Sequence, residues 1–89
     1  MPAPHCRARA LAKGFRDERY RGLIEQLVAR RKELGLNQQA VADRLGIHQQ
    51  FVSRYETGER RLDAVELVDV ATALGLDASK LIAAVPSRS

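Results

Sequence analysis

Between Gln38 and Glu56 the chain holds two short, apolar-patterned segments, joined by too few residues to lie antiparallel. They must cross steeply, so where their backbones meet a side chain has to be small. Ala42 stands at that point, and Gly46, four residues on, supplies the positive φ that a turn between two helices requires. Val41, Leu45, Ile47, Val52 and Tyr55 are spaced to pin both segments to a common core. With Val52 and Tyr55 inward, helical geometry sends Gln49, Gln50, Ser53 and Arg54 to the opposite face. That face begins polar and uncharged and carries a base further along.

The flanking sequence supplies the rest of a small helical bundle. Asp17 is an N-cap for a first helix, whose Leu23, Ile24, Leu27, Val28, Arg31 and Leu34 fall on one stripe before Gly35 ends it. Asn37 caps the second helix, expected over Gln38 to Leu45, and the third is expected from His48 to Thr57, stopped by Gly58. Asp63 and Glu66 form a capping-box pattern for a fourth helix with Val65, Val68, Ala71 and Leu74 expected on its inner face. Asp77 caps a short fifth helix bearing Leu81, Ile82 and Val85, and Pro86 closes it. No strand alternation or internal repeat is visible. The expected class is all-α, with five helices joined by short loops. Residues 1–16 read as a flexible basic arm carrying Arg7, Arg9, Lys13 and Arg16, residues 17–86 as the domain, and 87–89 as a tail.

Composition removes several classes of function. A chain of 89 residues holds one modest core, with little room for an enclosed active site. The single cysteine, Cys6, cannot close an internal disulfide, and His5 and His48 lie too far apart in sequence to make a zinc pattern with it. No metal and no cofactor are therefore expected, and no small-molecule ligand is evident. No apolar run reaches the roughly 18 residues of a membrane span, so the expected location is the cytoplasm, without membrane contact. The charge is uneven: 13 Lys and Arg face 7 Asp and Glu up to Arg61, against 2 and 4 from Leu62 onward. The basic part is where a polyanion would be met. No Ser/His/Asp, Cys/His, paired-carboxylate or phosphate-loop arrangement appears, so an enzyme is not expected.

Leu34-Gly35-Leu36-Asn37-Gln38, Val41-Ala42, Leu45-Gly46-Ile47 and Ser53-Arg54-Tyr55-Glu56-Thr57-Gly58, continued by Ala71 and Leu74-Gly75, resemble the Cro/C1-type, or Xre-type, helix-turn-helix domain. The likeness spans about Tyr20 to Val85 and implies a five-helix, lambda-repressor-like bundle that binds double-stranded DNA. It further implies that the third helix enters the major groove, with Gln49, Gln50 and Ser53 as base readers. A glutamine amide suits that task because it bonds N7 and N6 of adenine together. Gln38, Arg54, Thr57, Arg60 and Arg61 match positions that hold backbone phosphates. Phe51 departs from a small polar residue; it either touches a thymine methyl or folds back onto the motif. Arg31 and Glu56 match a structural charge pair. His48 replaces the usual Ser or Thr cap, Glu59 a base, and Leu62 a frequent proline.

Two expectations about partners follow. A transcription regulator built on one short reading helix is expected to act as a homodimer, with Leu81, Ile82 and Val85 of the fifth helix as its contact. The other class with this fold is an antitoxin, which binds a protein toxin and also regulates its own operon.

Overall fold

The computed structural model describes residues 17–87, which form five helices. In chain order these are α1 (Glu18–Glu33), α2 (Gln38–Leu45), α3 (Gln49–Thr57), α4 (Ala64–Ala73) and α5 (Ala78–Ala83). The basic arm anticipated over residues 1–16 lies outside the described residues.

Most helix starts are set by one acidic or amide side chain. Asp17 accepts from the Arg19 amide, Asn37 from Ala40, Asp63 from Glu66 and Asp77 from Ser79. At α4 the box closes both ways, because the Glu66 carboxylate also takes the Asp63 amide at 2.9 Å. Each such bond satisfies an amide that the first turn leaves without an internal acceptor. The α3 start differs. His48 occupies its N-cap without a side-chain capping bond, so the helix runs Gln49–Thr57 and the expected first residue lies just outside it. Gly46 and Gly58, at φ 69° and 90°, end α2 and α3 in the left-handed region that other residues adopt at a cost.

The core is one cluster drawn from all five helices. Ile24 and Leu27 come from α1, Val41 and Ala42 from α2, and Val52 and Tyr55 from α3; Leu67, Val70 and Ala71 of α4, Leu74 just past it and Leu81 of α5 complete it. Ala42 is fully enclosed, as the close crossing of α2 and α3 demands. Burial pushes the Tyr55 phenol well above its ordinary pKa, with a smaller push from the Glu56 charge.

Three expectations need correction. The inner face of α4 is Leu67, Val70, Ala71 and Leu74, while Val65 and Val68, expected inward, are 71% and 48% exposed. In α5, Leu81 is part of the monomer core and is not presented to a second copy, whereas Ile82 is 50% exposed and Val85 half-buried. Leu34, placed on the α1 stripe, is the α1 C-cap and is 39% exposed.

Two arginines fasten the end of α4 to its neighbours. Arg30 of α1 donates through Nε to the Leu74 carbonyl at 3.0 Å, and Arg44 of α2 through Nη1 to Ala73 at 2.9 Å. Cations suit this place, since the last carbonyls of a helix lack partners and carry the negative end of its dipole. No helix among the described residues is long and apolar enough to cross a membrane.

Candidate nucleic-acid interface

Burial of Val52 and Tyr55 fixes the roll of α3 about its axis. Both are fully enclosed, so the remaining sides of this nine-residue helix carry the polar groups. Gln50 and Arg54 are exposed, and Gln49 and Ser53 half-buried. The start of α2 lies beside the start of α3, because Gln49 Nε2 donates to Gln38 Oε1 at 2.6 Å. Gln38 and Gln49 are thus brought together with the first turn of the exposed helix.

Beneath them lies an ion pair. Arg31 Nε donates to Glu56 Oε2 at 2.7 Å and Nη2 to Oε1 at 3.0 Å, with the two side chains 11% and 7% exposed. Arg31 Nη1 also donates to the Leu36 carbonyl at 2.9 Å, and Gln38 Nε2 to Glu56 Oε1 at 2.9 Å. The Arg31 pKa is raised above its ordinary value, chiefly by the hydrogen bond to Glu56. One ion pair therefore ties α1, the α1–α2 turn, the start of α2 and the end of α3 together. The charge pair was legible in the sequence; its extension to Gln38 and Gln49 was not.

Past α3 the expected phosphate-binding residues divide. Arg54 is 59% exposed in its side chain, with only a loose approach of 3.8 Å to Glu59. Thr57 is exposed, and its Oγ1 donates to the Arg54 carbonyl at 3.2 Å. Arg61 sits with its guanidinium 5.2 Å from the centre of the Tyr20 ring. Arg60 is engaged elsewhere. It makes a two-pronged bond to Glu66, Nη1 to Oε1 at 2.9 Å and Nη2 to Oε2 at 2.8 Å, and lies 4.7 Å over the Phe51 ring. The hydrogen bond from Arg60, then that from the Asp63 amide, holds the Glu66 carboxyl below its ordinary range. Phe51 folds back onto the motif: half-buried, it meets Tyr55 edge to face at 5.8 Å. This clamp of Phe51, Arg60 and Glu66 fixes the α3–α4 loop. Its partners lie on separate elements, and no spacing rule in the sequence joins them.

A family model for the helix-turn-helix matches residues 27–81, from the middle of α1 into α5. The chain belongs to this helix-turn-helix family, in its Cro/C1 or Xre form. Among solved structures, the chain is similar to an Xre-family-like protein from Pseudomonas syringae pv. tomato strain DC3000. The two are 36% identical, with a TM-score of 0.74, over 83% of this chain and 90% of that one. No curated protein matches. Membership of the Xre family makes the domain a DNA-binding domain of the transcription-regulator type and agrees with the all-α architecture. Within that frame, α2 and α3 are the two helices of the motif and α3 occupies the place of its second, reading helix.

Proposed function

We propose that the domain is a sequence-specific transcriptional repressor, acting as a homodimer on a near-palindromic operator with α3 in the major groove. The observation that carries it is the roll of α3, which buries Val52 and Tyr55 and leaves Gln50 and Arg54 exposed beside the half-buried Gln49 and Ser53. Gln49, Gln50 and Ser53 read base edges in the groove, where amides and hydroxyls find donors and acceptors. Gln38 and Thr57, at either end of the motif, and Arg54 and Arg61 beyond the readers meet the phosphates and fix the register.

The dimer follows from how little one such helix can read. A single module of this size covers roughly 600–1,000 Å² of surface, and pairing two doubles the base pairs read. Supporting it are exposed apolar side chains, Val65 and Val68 on α4 and Ile82 on α5, with Val85 half-buried just after α5.

Selection of binding sites from random duplexes, followed by sedimentation with and without the best site, tests both parts. The expected site has two-fold symmetry, with half-sites about 10 to 10.5 base pairs apart or a multiple of that, and binds two chains. A selected site without symmetry, bound by one chain, removes the dimer; no enrichment over random DNA removes the sequence reader.

A further inference from the structure

Arg60 stands beside the reading helix, yet the edge of its guanidinium that grips an anion is spent on a carboxylate. Its face lies 4.7 Å over the Phe51 ring. Phe51 stands three residues before Arg54, so the two are neighbours on the surface of α3. Arg60 is thereby held on the flank of α3, next to the arginine assigned to a phosphate. A guanidinium grips a phosphate as a fork, with two parallel N–H bonds. In Arg60 that fork is directed at Glu66, Nη1 to Oε1 at 2.9 Å and Nη2 to Oε2 at 2.8 Å, and Nη1 also donates to the Arg61 carbonyl at 3.0 Å. A carboxylate presents a pair of oxygens just as a phosphate does.

Glu66 is a strong competitor because the fold fixes it in place. It is the third residue of α4, where Oε1 accepts from the Asp63 amide at 2.9 Å and its own amide donates to Asp63 Oδ1 at 2.7 Å. The positive end of the helix dipole favours a carboxylate there. We propose that Glu66 is an internal substitute for a DNA phosphate: it withholds Arg60 and so lowers the affinity of the domain for DNA of any sequence. The proposal rests on the reading that α3 and the loop after it face the DNA backbone. Phosphate contacts carry no base information, so each one added strengthens random and operator DNA alike. With Arg60 withheld, base reading decides a larger share of the binding. Loss of the carboxylate would leave the guanidinium on the flank of α3, because the Phe51 ring still holds its face.

Glu66→Gln tests this while keeping the capping box, which takes glutamine at that position. The amide nitrogen that replaces one oxygen has nothing to accept with, so the fork is broken. Glu66→Ala removes both acceptors and covers the case in which the glutamine oxygen still holds Nη1. The whole chain and the E66Q, E66A, R60A, R54A and E66Q/R60A variants, each shown to fold by circular dichroism, are titrated with salt on a random duplex and on the selected operator. E66Q and E66A should steepen the log–log salt slope by about one on both duplexes. The affinity lost between about 50 and 200 mM salt then grows by about three- to fourfold. R60A should leave the parent slope unchanged, and the added slope should vanish in E66Q/R60A. That last comparison separates a released arginine from the mere removal of a negative charge: a slope that steepens equally without Arg60 overturns the proposal. So does an unchanged slope in both E66Q and E66A, or an R60A slope lower by about one, which would put Arg60 on a phosphate already. If R54A lowers the slope and neither Glu66 variant raises it, the proposal alone falls. If R54A also leaves the slope unchanged, the reading of the interface falls and the proposal with it.

Discussion

Removing both sides of the Arg31–Glu56 pair should cost little more than removing one. In Glu56→Ala the guanidinium, 11% exposed, retains only the Leu36 carbonyl as a bonded acceptor. Stranding a buried charge costs about 3–5 kcal/mol, and the remaining carbonyl bond argues for the low end, about 3 kcal/mol. Arg31→Ala strands the carboxylate, 7% exposed, with the Gln38 amide as its remaining donor, and should cost a similar amount. For a domain of this size, a loss of about 3 kcal/mol lowers Tm by roughly 12–24 °C. Independent effects would make the double variant about 6 kcal/mol less stable; with no charge left to strand, we expect about 3 kcal/mol. Urea unfolding followed by circular dichroism, on the parent, both single variants and the double variant at one ionic strength, measures the coupling. A double loss within about 0.5 kcal/mol of the summed single losses would refute the reasoning.

Three further outcomes are expected. Gln50→Ala should cost about 1–3 kcal/mol on the best operator and leave binding to random DNA unchanged, measured by competition titration; a parallel loss on both would place Gln50 outside base reading. Arg54→Ala should weaken binding to every sequence and lower the log–log salt slope by about one, whereas an unchanged slope would mean that Arg54 meets no phosphate. Because folded Tyr55 holds its proton to higher pH than the unfolded chain, its contribution is intact below the ordinary tyrosine value of about 10 and is lost as pH climbs above it. Tyr55→Phe should flatten the fall in stability above that pH in alkaline unfolding curves, and an equally steep fall would contradict the assignment.

Four of the five helix starts were legible because their instructions are local: Asp17, Asn37, Asp63 and Asp77 each cap the helix that follows. The roll of α3 was legible too, since Val52 and Tyr55 leave it one choice. The roll of α4 was not. Its sequence AVELVDVATA is apolar on most sides, so the stripe through Val65 and Val68 and the one through Leu67 and Val70 satisfy the same period. The clamp of Arg60 by Glu66 and the fastening of α4 by Arg30 and Arg44 help hold the helix in the observed position, across elements that periodicity does not connect. Within the interface, residue types marked the polar face, but not the order of donors and acceptors running from Arg31 to Gln49. Phe51 had two outcomes open at the sequence level; the Tyr55 ring below and the Arg60 guanidinium above decide for the folded-back one.

The missing cap at His48 has a consequence for how the reading helix is held. Four helices carry their own start signal, whereas α3 has none and depends on α2 and the core to hold its first turn. Its first-turn amides should therefore exchange with deuterium sooner than those at the other helix starts, opening in small excursions well short of global unfolding. Groove docking would close those excursions, so part of the binding energy is spent completing a helix, and a well-matched operator should slow that exchange more than a poor one.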